Sequence, residues 1–186
     1  MALANPQDDL AYVLIEEGQL KSRLQAIAQE ILADYADEED LLLVCILKGS
    51  YIVLADLCRH LTRFHEVDFM AVSSYGGGTE SSGAVQILMD LKQDIAGRHV
   101  ILVEDIIDSG RTLSYIRRLL EARGPASLRI MTLLNKPSRR EVEVDVEYIG
   151  FDIPDEFVVG YGLDYDQRYR HFPFIGVLKP TVFGGE

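Results

Sequence analysis

A chain of 186 residues can bury a substantial hydrophobic core but is short for two domains, so we expect one domain over residues 1–186. Its 18 basic and 30 acidic side chains give a net charge of −12, which repels nucleic acid and excludes it as an expected partner. No apolar run approaches the roughly 20 residues that cross a bilayer, and the acidic N-terminus lacks a signal-peptide pattern. Cys45 and Cys58 lie in apolar segments without metal-ligand spacing. We therefore expect a cytoplasmic protein with reduced thiols and no membrane partner.

The first half of the chain predicts helices alternating with strands. Apolar residues spaced three and four apart over 17–36 predict an amphipathic helix. The continuous apolar run over 40–47 predicts a strand buried on both faces, and 50–61 predicts a helix. Two β-rich runs, 67–75 and 84–91, flank the sequence GGGTESSG. They predict an antiparallel pair with a long, flexible connection.

The second half continues this alternation. Residues 98–105 predict a buried strand, 112–124 a helix that ends at Gly124 and Pro125, and 127–135 a further strand. The remaining segment, 146–180, predicts short strands mixed with loops. This order indicates an α/β fold with a mainly parallel sheet flanked by helices.

Three predicted strand ends carry side chains that are capable of chemistry. They are Lys48 with Gly49, residues 104–112, and residues 135–140. In open α/β sheets, ligands bind beyond the carboxyl ends of the strands. We therefore expect these three segments to form one site.

The sequence ILVEDIIDSGRTL, residues 101–113, places three acids where a strand leads into a helix. A tight turn at the start of a helix directs backbone N–H groups and the positive end of the helix dipole at one point, which makes a phosphate cradle. The hydroxyls of Ser109 and Thr112 add donors. The alternative is that Asp108 or Ser109 only caps the helix.

Glu104 and Asp105 are not needed for capping. Two further acids next to a phosphate cradle need a donor such as ribose hydroxyls or a metal ion, and Mg²⁺ accepts few protein ligands when phosphates complete its shell. The segment therefore predicts a ribose-phosphate site. The glycine-rich phosphate motifs of dinucleotide-binding and P-loop proteins are absent. A phospho-acceptor receiver domain also clusters acids, but its acids come from different strand ends. The three acids here lie in one run, which argues against that class of protein.

ILVEDIIDSGRTL resembles the phosphoribosyl pyrophosphate motif of type I phosphoribosyltransferases. Four further segments resemble the bacterial hypoxanthine-guanine branch of that family, in the same order: VCILKGSYIVLADL, SSYGGGTESSG, MTLLNKPSRREV and PDEFVVGYGLDYDQRYRHFPFIG. The resemblance covers about residues 40–178. It implies the type I fold, with a small hood region and a flexible lid loop.

The resemblance also implies roles for the acidic segment. Glu104 and Asp105 match the acids that bind the ribose and the metal, and Asp108 matches the catalytic group at purine N7. The phosphate cradle continues through Ser109, Gly110, Arg111 and Thr112.

The pyrophosphate contacts implied by the resemblance are Lys48, Gly49 and Arg170. A cis peptide bond is implied between Leu47 and Lys48, and Asp164 matches a further metal ligand. From the sequence pattern alone, without the resemblance, Lys48 is interpreted as a solvated lysine and Asp164 as a turn residue.

For the purine, Phe157 matches the ring that stacks on the base, and Val158 matches the residue whose backbone reads the base edge. Lys136 carries an independent chemical argument, because an ammonium group only donates and so favours a purine with an oxygen at position six over adenine. Ser74 and Tyr75 match the lid that excludes water. Arg139 and Arg140 are candidate surface charges.

The implied activity is transfer of a phosphoribosyl group from phosphoribosyl pyrophosphate to hypoxanthine or guanine, with Mg²⁺ as cofactor. A homo-oligomer, either a dimer or a tetramer, is also implied. Two alternatives are a non-catalytic regulator that senses phosphoribosyl pyrophosphate and a transferase for xanthine or a pyrimidine. The regulator needs a basic nucleic-acid surface, which a chain of charge −12 is poorly suited to provide.

Overall fold

The structure is a computed structural model that describes residues 5–38, 40–74 and 85–184. Tyr75 and the glycine- and serine-rich segment after it lie outside the described residues, and Ser74 ends a strand. In chain order, the helices and strands are β1 (Leu10–Ile15), α1 (Glu17–Asp34), β2 (Leu41–Leu47), α2 (Tyr51–His60), β3 (Glu66–Ser74), β4 (Val85–Met89), β5 (His99–Ile107), α3 (Arg111–Glu121), β6 (Ser127–Asn135), β7 (Tyr148–Asp152), β8 (Val158–Val159), β9 (Ile175–Leu178) and α4 (Pro180–Phe183).

The main sheet has six strands in the order β4-β3-β2-β5-β6-β7. All neighbours are parallel except β4, which pairs antiparallel with β3 at one edge. The predicted mainly parallel α/β sheet and its antiparallel pair are therefore confirmed.

Helices cover both faces of this sheet. The side chains of β2 point alternately to the two faces and are buried on both, which explains why the strand is apolar throughout. Leu43 and Cys45 pack in one hydrophobic cluster with buried residues of α1 and α2. Leu42 and Val44 pack in a second cluster with the buried face of α3. Successive side chains of a strand point to opposite faces, so a strand covered on both sides has no polar position.

A second, small sheet forms the hood in the order β1-β9-β8, with antiparallel pairing throughout. Leu10 pairs with Leu178, and Val158 pairs with Val177. Ile15 of this sheet shares a hydrophobic cluster with the main sheet. The sequence did not predict β1, because its partner lies at the other end of the chain and local periodicity carries no sign of such pairing.

Two predicted boundaries differ from the structure. The strand predicted to end at Asp105 continues to Ile107, so Asp105 lies inside β5 rather than at its end. The helix predicted to reach Gly124 ends at Glu121, and Gly124 (φ +71°) closes a turn after it. Among the described residues, no helix combines the length and hydropathy needed to cross a membrane.

Candidate active site

The three predicted strand ends lie side by side, because β2, β5 and β6 are neighbours in the sheet. Lys48 follows β2, Glu104 lies near the carboxyl end of β5, and Lys136 follows β6. The backbone N–H of Lys136 donates to the carbonyl of Ile107 at 3.0 Å, which ties the last two segments together. The fold therefore brings these residues to one edge of the sheet, as parallel strands require.

The acids of β5 are held in an unfavourable environment. Burial raises the pKa of Glu104 well above its usual value, and the neighbouring Asp105 raises it further. Burial also raises the pKa of Asp105 to about 6, although the backbone N–H of Ile106 donates to its carboxylate at 2.8 Å. The Oε2 atom of Glu104 is buried and has no hydrogen-bond partner among the described residues. A buried, unpartnered carboxylate oxygen indicates a site built to receive a donor or a cation.

The loop after β2 packs tightly against Asp105. A Cβ atom added to Gly49 would lie 1.5 Å from Oδ2 of Asp105. A Cβ atom added to Gly162, whose φ is +103°, would lie 2.0 Å from the carbonyl oxygen of Gly49. The Leu47–Lys48 peptide bond is cis, as the resemblance implied. Glycine is thus required at Gly162 by close approach of the Gly49 backbone, and at Gly49 by close approach of the Asp105 carboxylate.

The turn before α3 is held in place by hydrogen bonds from residues outside it. The carbonyl of Ser109 accepts hydrogen bonds from the N–H groups of Glu141 and Val142, each at 3.0 Å. Gly110 adopts a left-handed conformation (φ +82°), and a Cβ atom there would lie 2.4 Å from the carbonyl oxygen of Val142.

Beside this turn is a cavity of about 150 Å³. Its lining comprises Glu104, Ile106, Ile107, Asp108, Ser109, Gly110, Thr112 and Leu113. Asp108 makes no capping hydrogen bond to α3, and the Ser109 hydroxyl makes one long contact of 3.4 Å with the N–H of Arg111. The capping alternative is therefore wrong for Asp108, and the N-terminal N–H groups of α3 border a space that fits an anion.

A chain of charged groups connects Asp108 to Lys136. The Nε atom of Arg139 donates to Asp108 at 3.2 Å, and its NH1 atom lies 3.7 Å from Asp155. The Nζ atom of Lys136 lies 3.8 Å from the same Asp155, and Lys136 is only 8% exposed. Arg140 is half-buried and donates to the side chain of Asn135. Arg140 is therefore more than a surface charge, whereas Arg139 is exposed and remains a surface charge that pairs with Asp108.

Lys48 and Arg170 meet at one acceptor. The Oε1 atom of Gln167 accepts from Nζ of Lys48 at 3.4 Å and from NH2 of Arg170 at 3.2 Å. Arg170 also forms a 2.7 Å ion pair with Asp164 and donates to the carbonyl of Gly162 at 2.7 Å. Its positive charge lowers the pKa of Asp105, against the larger effect of burial, so Arg170 lies near this acid.

Phe157 lies outside the hydrophobic core and is 38% exposed. Its ring stacks on Phe183 at 4.8 Å between centroids, and it meets Tyr165 edge-on at 5.5 Å. Val158, which follows it in β8, is buried. Sequence reasoning missed Phe183 because no motif marks it, and only the folded hood brings residue 183 to residue 157.

Comparison with known proteins identifies this arrangement. A family model, the phosphoribosyl transferase domain, matches residues 15–166, which is well over half of the chain. The chain belongs to the phosphoribosyltransferase family.

This phosphoribosyltransferase has close relatives with more specific names. It is 56% identical over 165 residues to the hypoxanthine phosphoribosyltransferase of Escherichia coli, over 88% of this chain and 93% of that protein. It is 50% identical over 180 residues to the hypoxanthine-guanine phosphoribosyltransferase of Mycobacterium avium, over 94% of this chain and 89% of that protein. The crystal structure of a hypoxanthine phosphoribosyltransferase from Staphylococcus aureus superposes with a TM-score of 0.92 at 45% identity, over 96% of this chain and 97% of that chain. The fold predicted from the resemblance is therefore confirmed.

The described part of this phosphoribosyltransferase contains no cluster of three or more His, Cys, Asp or Glu side chains able to hold a metal on their own. The buried oxygen of Glu104 and the carboxylate of Asp105 nevertheless fit a divalent cation that takes its other ligands from substrate phosphates and water. The residues present therefore fit a metal that arrives together with its substrate.

Proposed function

We propose that this phosphoribosyltransferase is a purine-salvage enzyme that transfers the phosphoribosyl group of phosphoribosyl pyrophosphate to hypoxanthine or guanine. The products are IMP or GMP and pyrophosphate. The names of the relatives at 56% and 50% identity support this function. The observation that carries it is the meeting, at one sheet edge, of two buried acids, the cavity at the start of α3 and the buried ammonium group of Lys136.

The donor's ribose phosphate fits the cavity before α3. Its phosphate accepts hydrogen bonds from the backbone N–H groups and hydroxyls of the cradle. Its ribose hydroxyls donate to Glu104 and Asp105, which supplies the partner that the buried oxygen of Glu104 lacks among the protein's own groups. The cradle residues are Asp108, Ser109, Gly110, Arg111 and Thr112.

The pyrophosphate group fits the loop formed by Lys48 and Gly49, with Arg170 opposite. Lys48 and Arg170 already converge on Gln167, so an anion bound there would replace a neutral acceptor with a charged one. The family uses a divalent metal ion with this donor, and we propose Mg²⁺, held by Glu104, Asp105 and Asp164. A bound Mg²⁺ neutralises the charge of the leaving pyrophosphate.

The purine fits between this edge and the hood. Phe157 offers a partly exposed ring for stacking, which is worth roughly 1–3 kcal/mol for a base. Lys136 donates to the oxygen at position six, and the backbone of Val158 reads the base edge. Asp108 accepts the proton at N7, and its ion pair with Arg139 holds the carboxylate in place before the base arrives.

The reaction breaks the bond between ribose C1 and pyrophosphate and forms a bond from C1 to purine N9. Positive charge develops on the ribose, and the carboxylates of Glu104 and Asp105 stabilise it electrostatically. The purine loses one proton, which Asp108 accepts from N7. Closure of a lid that includes Ser74 and Tyr75 excludes water, which would otherwise attack C1.

We also propose that residues 1–186 act as one domain, because the hood and the main sheet share one hydrophobic cluster. The free thiols of Cys45 and Cys58 support a cytoplasmic location. We further propose that the enzyme is a homo-oligomer and has neither a nucleic-acid nor a membrane partner.

The test supplies phosphoribosyl pyrophosphate and Mg²⁺ with hypoxanthine, guanine, xanthine or adenine in separate reactions. We expect nucleotide from hypoxanthine or guanine and at most traces from adenine. The control is Asp108→Asn, which keeps the shape of the side chain and should lose at least about 100-fold in turnover, the size of a general-base contribution. No nucleotide with any base would refute the function, and a product from adenine alone would refute the role of Lys136.

A further inference from the structure

The ring of Phe157 is held on one side by another aromatic ring of the same chain. Phe183 stacks on it with centroids 4.8 Å apart and planes 21° apart. Tyr165 contacts it edge-on, with planes at 90°. A flat ring has two faces, so Phe183 leaves one face of Phe157 for a ligand. The 38% exposure of Phe157 is consistent with one open face.

Phe183 is placed by an anchored chain segment. The N–H of Lys179 donates to the carbonyl of Asp9 at 2.9 Å, and its Nζ atom donates to the carbonyl of Asp8 at 2.5 Å. The N–H of Leu178 donates to the carbonyl of Phe157 at 2.9 Å. These contacts fix both the start of α4 and the backbone that carries the stacked ring.

The packing of α4 indicates which face of Phe157 is covered. Val182 and Phe183 pack against a hydrophobic cluster of the hood, which includes Val159 and Leu178. The acids, the phosphate cavity and Lys136 belong to the edge of the main sheet. Phe183 therefore approaches Phe157 from the hood, and the face of Phe157 opposite Phe183 is the one that can take the base.

We propose that Phe183 is a positioning residue for the purine, which backs the ring of Phe157 so that its open face is ready for the base. The proposal rests on the proposed function and adds to it a residue from the end of the chain. A side chain that is held before binding loses less conformational freedom on binding, and this strengthens affinity. Stacking of one aromatic ring on another also restricts rotation of Phe157 about its side-chain bonds.

The proposed effect of Phe183 is confined to binding of the purine. Phe183 contacts the ring that stacks on the base and the hydrophobic cluster of the hood, whereas the groups proposed for phosphoribosyl pyrophosphate lie on the main sheet and in the loops at its edge. Loss of the Phe183 ring therefore weakens purine binding and leaves donor binding unchanged.

The experiment compares steady-state kinetics of the wild type with Phe183→Ala, Phe183→Leu and Phe183→Tyr. For Phe183→Ala, we expect the KM for hypoxanthine to rise about three- to tenfold, the effect of freeing one side chain. The KM for phosphoribosyl pyrophosphate and kcat should stay within about twofold. Phe183→Tyr should restore the wild-type KM, because it restores a stacking ring, and Phe183→Leu should not, although it fills similar space.

Two control variants separate stacking from general damage. Val182→Ala removes a neighbouring side chain of α4 that packs on the same hood cluster, and Phe64→Ala removes an aromatic ring that is 97% exposed. Both should keep the wild-type KM for hypoxanthine.

Several outcomes would overturn the proposal. An unchanged KM for hypoxanthine in folded Phe183→Ala would do so. Equal increases in the KM for hypoxanthine and the KM for phosphoribosyl pyrophosphate would do so as well. A lower KM would show that Phe183 covers the face that the base needs. If Phe183→Ala does not fold, a wild-type KM for hypoxanthine in Phe183→Leu would contradict stacking, because leucine has no ring. An inactive wild type would instead refute the proposed function, so the two failures are distinguishable.

Discussion

Asp105 shows how a single residue is placed for binding at the expense of stability. Its pKa in the folded protein is about 6 against an ordinary value of 3.8, because burial disfavours the charged form. Glu104 beside it is perturbed in the same direction. Folding must therefore hold two carboxylates where neither is well solvated, and a ligand that donates to them relieves this cost.

Asp105→Asn should stabilise the unliganded, metal-free enzyme at neutral pH. Between pH 3.8 and about 6 the folded state holds a proton that the unfolded state has released, so the wild type loses stability as pH rises through this range. Asparagine does not titrate, and its side-chain oxygen still accepts the N–H of Ile106. A shift of two pKa units corresponds to about 3 kcal/mol, and partial solvent access reduces the expected gain to about 1 kcal/mol at pH 7.5.

Urea unfolding at pH 7.5 and pH 5 measures this gain, which should shrink at the lower pH. Asp37→Asn is the matched control, since Asp37 is exposed and should give no gain at either pH. Catalytic activity of Asp105→Asn should fall while its stability rises. A gain of the same size at both pH values would show that ionisation of Asp105 is not its cause.

At the scale of elements, the site depends on three segments that pack closely at glycine residues. The loop after β2 lies between Asp105 of β5 and the turn at Gly162. Gly162→Ala would place a Cβ atom 2.0 Å from the carbonyl oxygen of Gly49, at a φ of +103° that L-residues rarely adopt. We expect a loss of about 1–3 kcal/mol in unfolding free energy. The KM for phosphoribosyl pyrophosphate should rise at least about tenfold, because Gly162 also accepts a hydrogen bond from Arg170.

Gly18→Ala provides the matched control for this glycine prediction. A Cβ atom at Gly18 meets nothing within 4 Å, and the residue lies inside α1. Alanine should stabilise the helix by about 0.5–1 kcal/mol and leave both KM values unchanged. Wild-type stability and donor KM in Gly162→Ala would show that the turn can move and that the loop does not need it.

These contacts mark the limit of what the sequence predicts. Apolar runs and helical spacing predicted every strand of the main sheet up to β6 and the three long helices, because that information is local. The acids of β5 were found because polar residues inside an apolar strand are conspicuous. Contacts such as Gly162 with Gly49, or Arg139 with Asp108, join residues far apart in sequence and of ordinary type. No local pattern distinguishes them, so only the folded chain reveals them.

At the scale of the whole molecule, the hood depends on both ends of the chain. β1 comes from the N-terminal region, β9 and α4 come from the C-terminal region, and Phe157 lies beside them. Removal of residues after Leu178 would therefore affect the purine site although no catalytic motif lies there. In the proposed function, the hood carries the ring that stacks on the base, and the edge of the main sheet carries the groups for the donor together with Lys136 and Asp108, so the base lies between the two sheets.

The surface of the whole molecule predicts self-association. Met89 (37% exposed) lies on β4, the edge strand of the main sheet, and Phe69 (38% exposed) lies on the same face of β3 beside it. A cavity of about 420 Å³ opens between Phe69, Met89 and Leu47. An apolar surface of this kind on an edge strand favours contact with a second copy. We expect sedimentation to show a dimer or larger species for the wild type and a smaller one for Met89→Glu. Phe64→Glu, which changes an isolated exposed ring, should keep the wild-type assembly; a monomeric wild type, or dissociation by Phe64→Glu alone, would contradict the prediction.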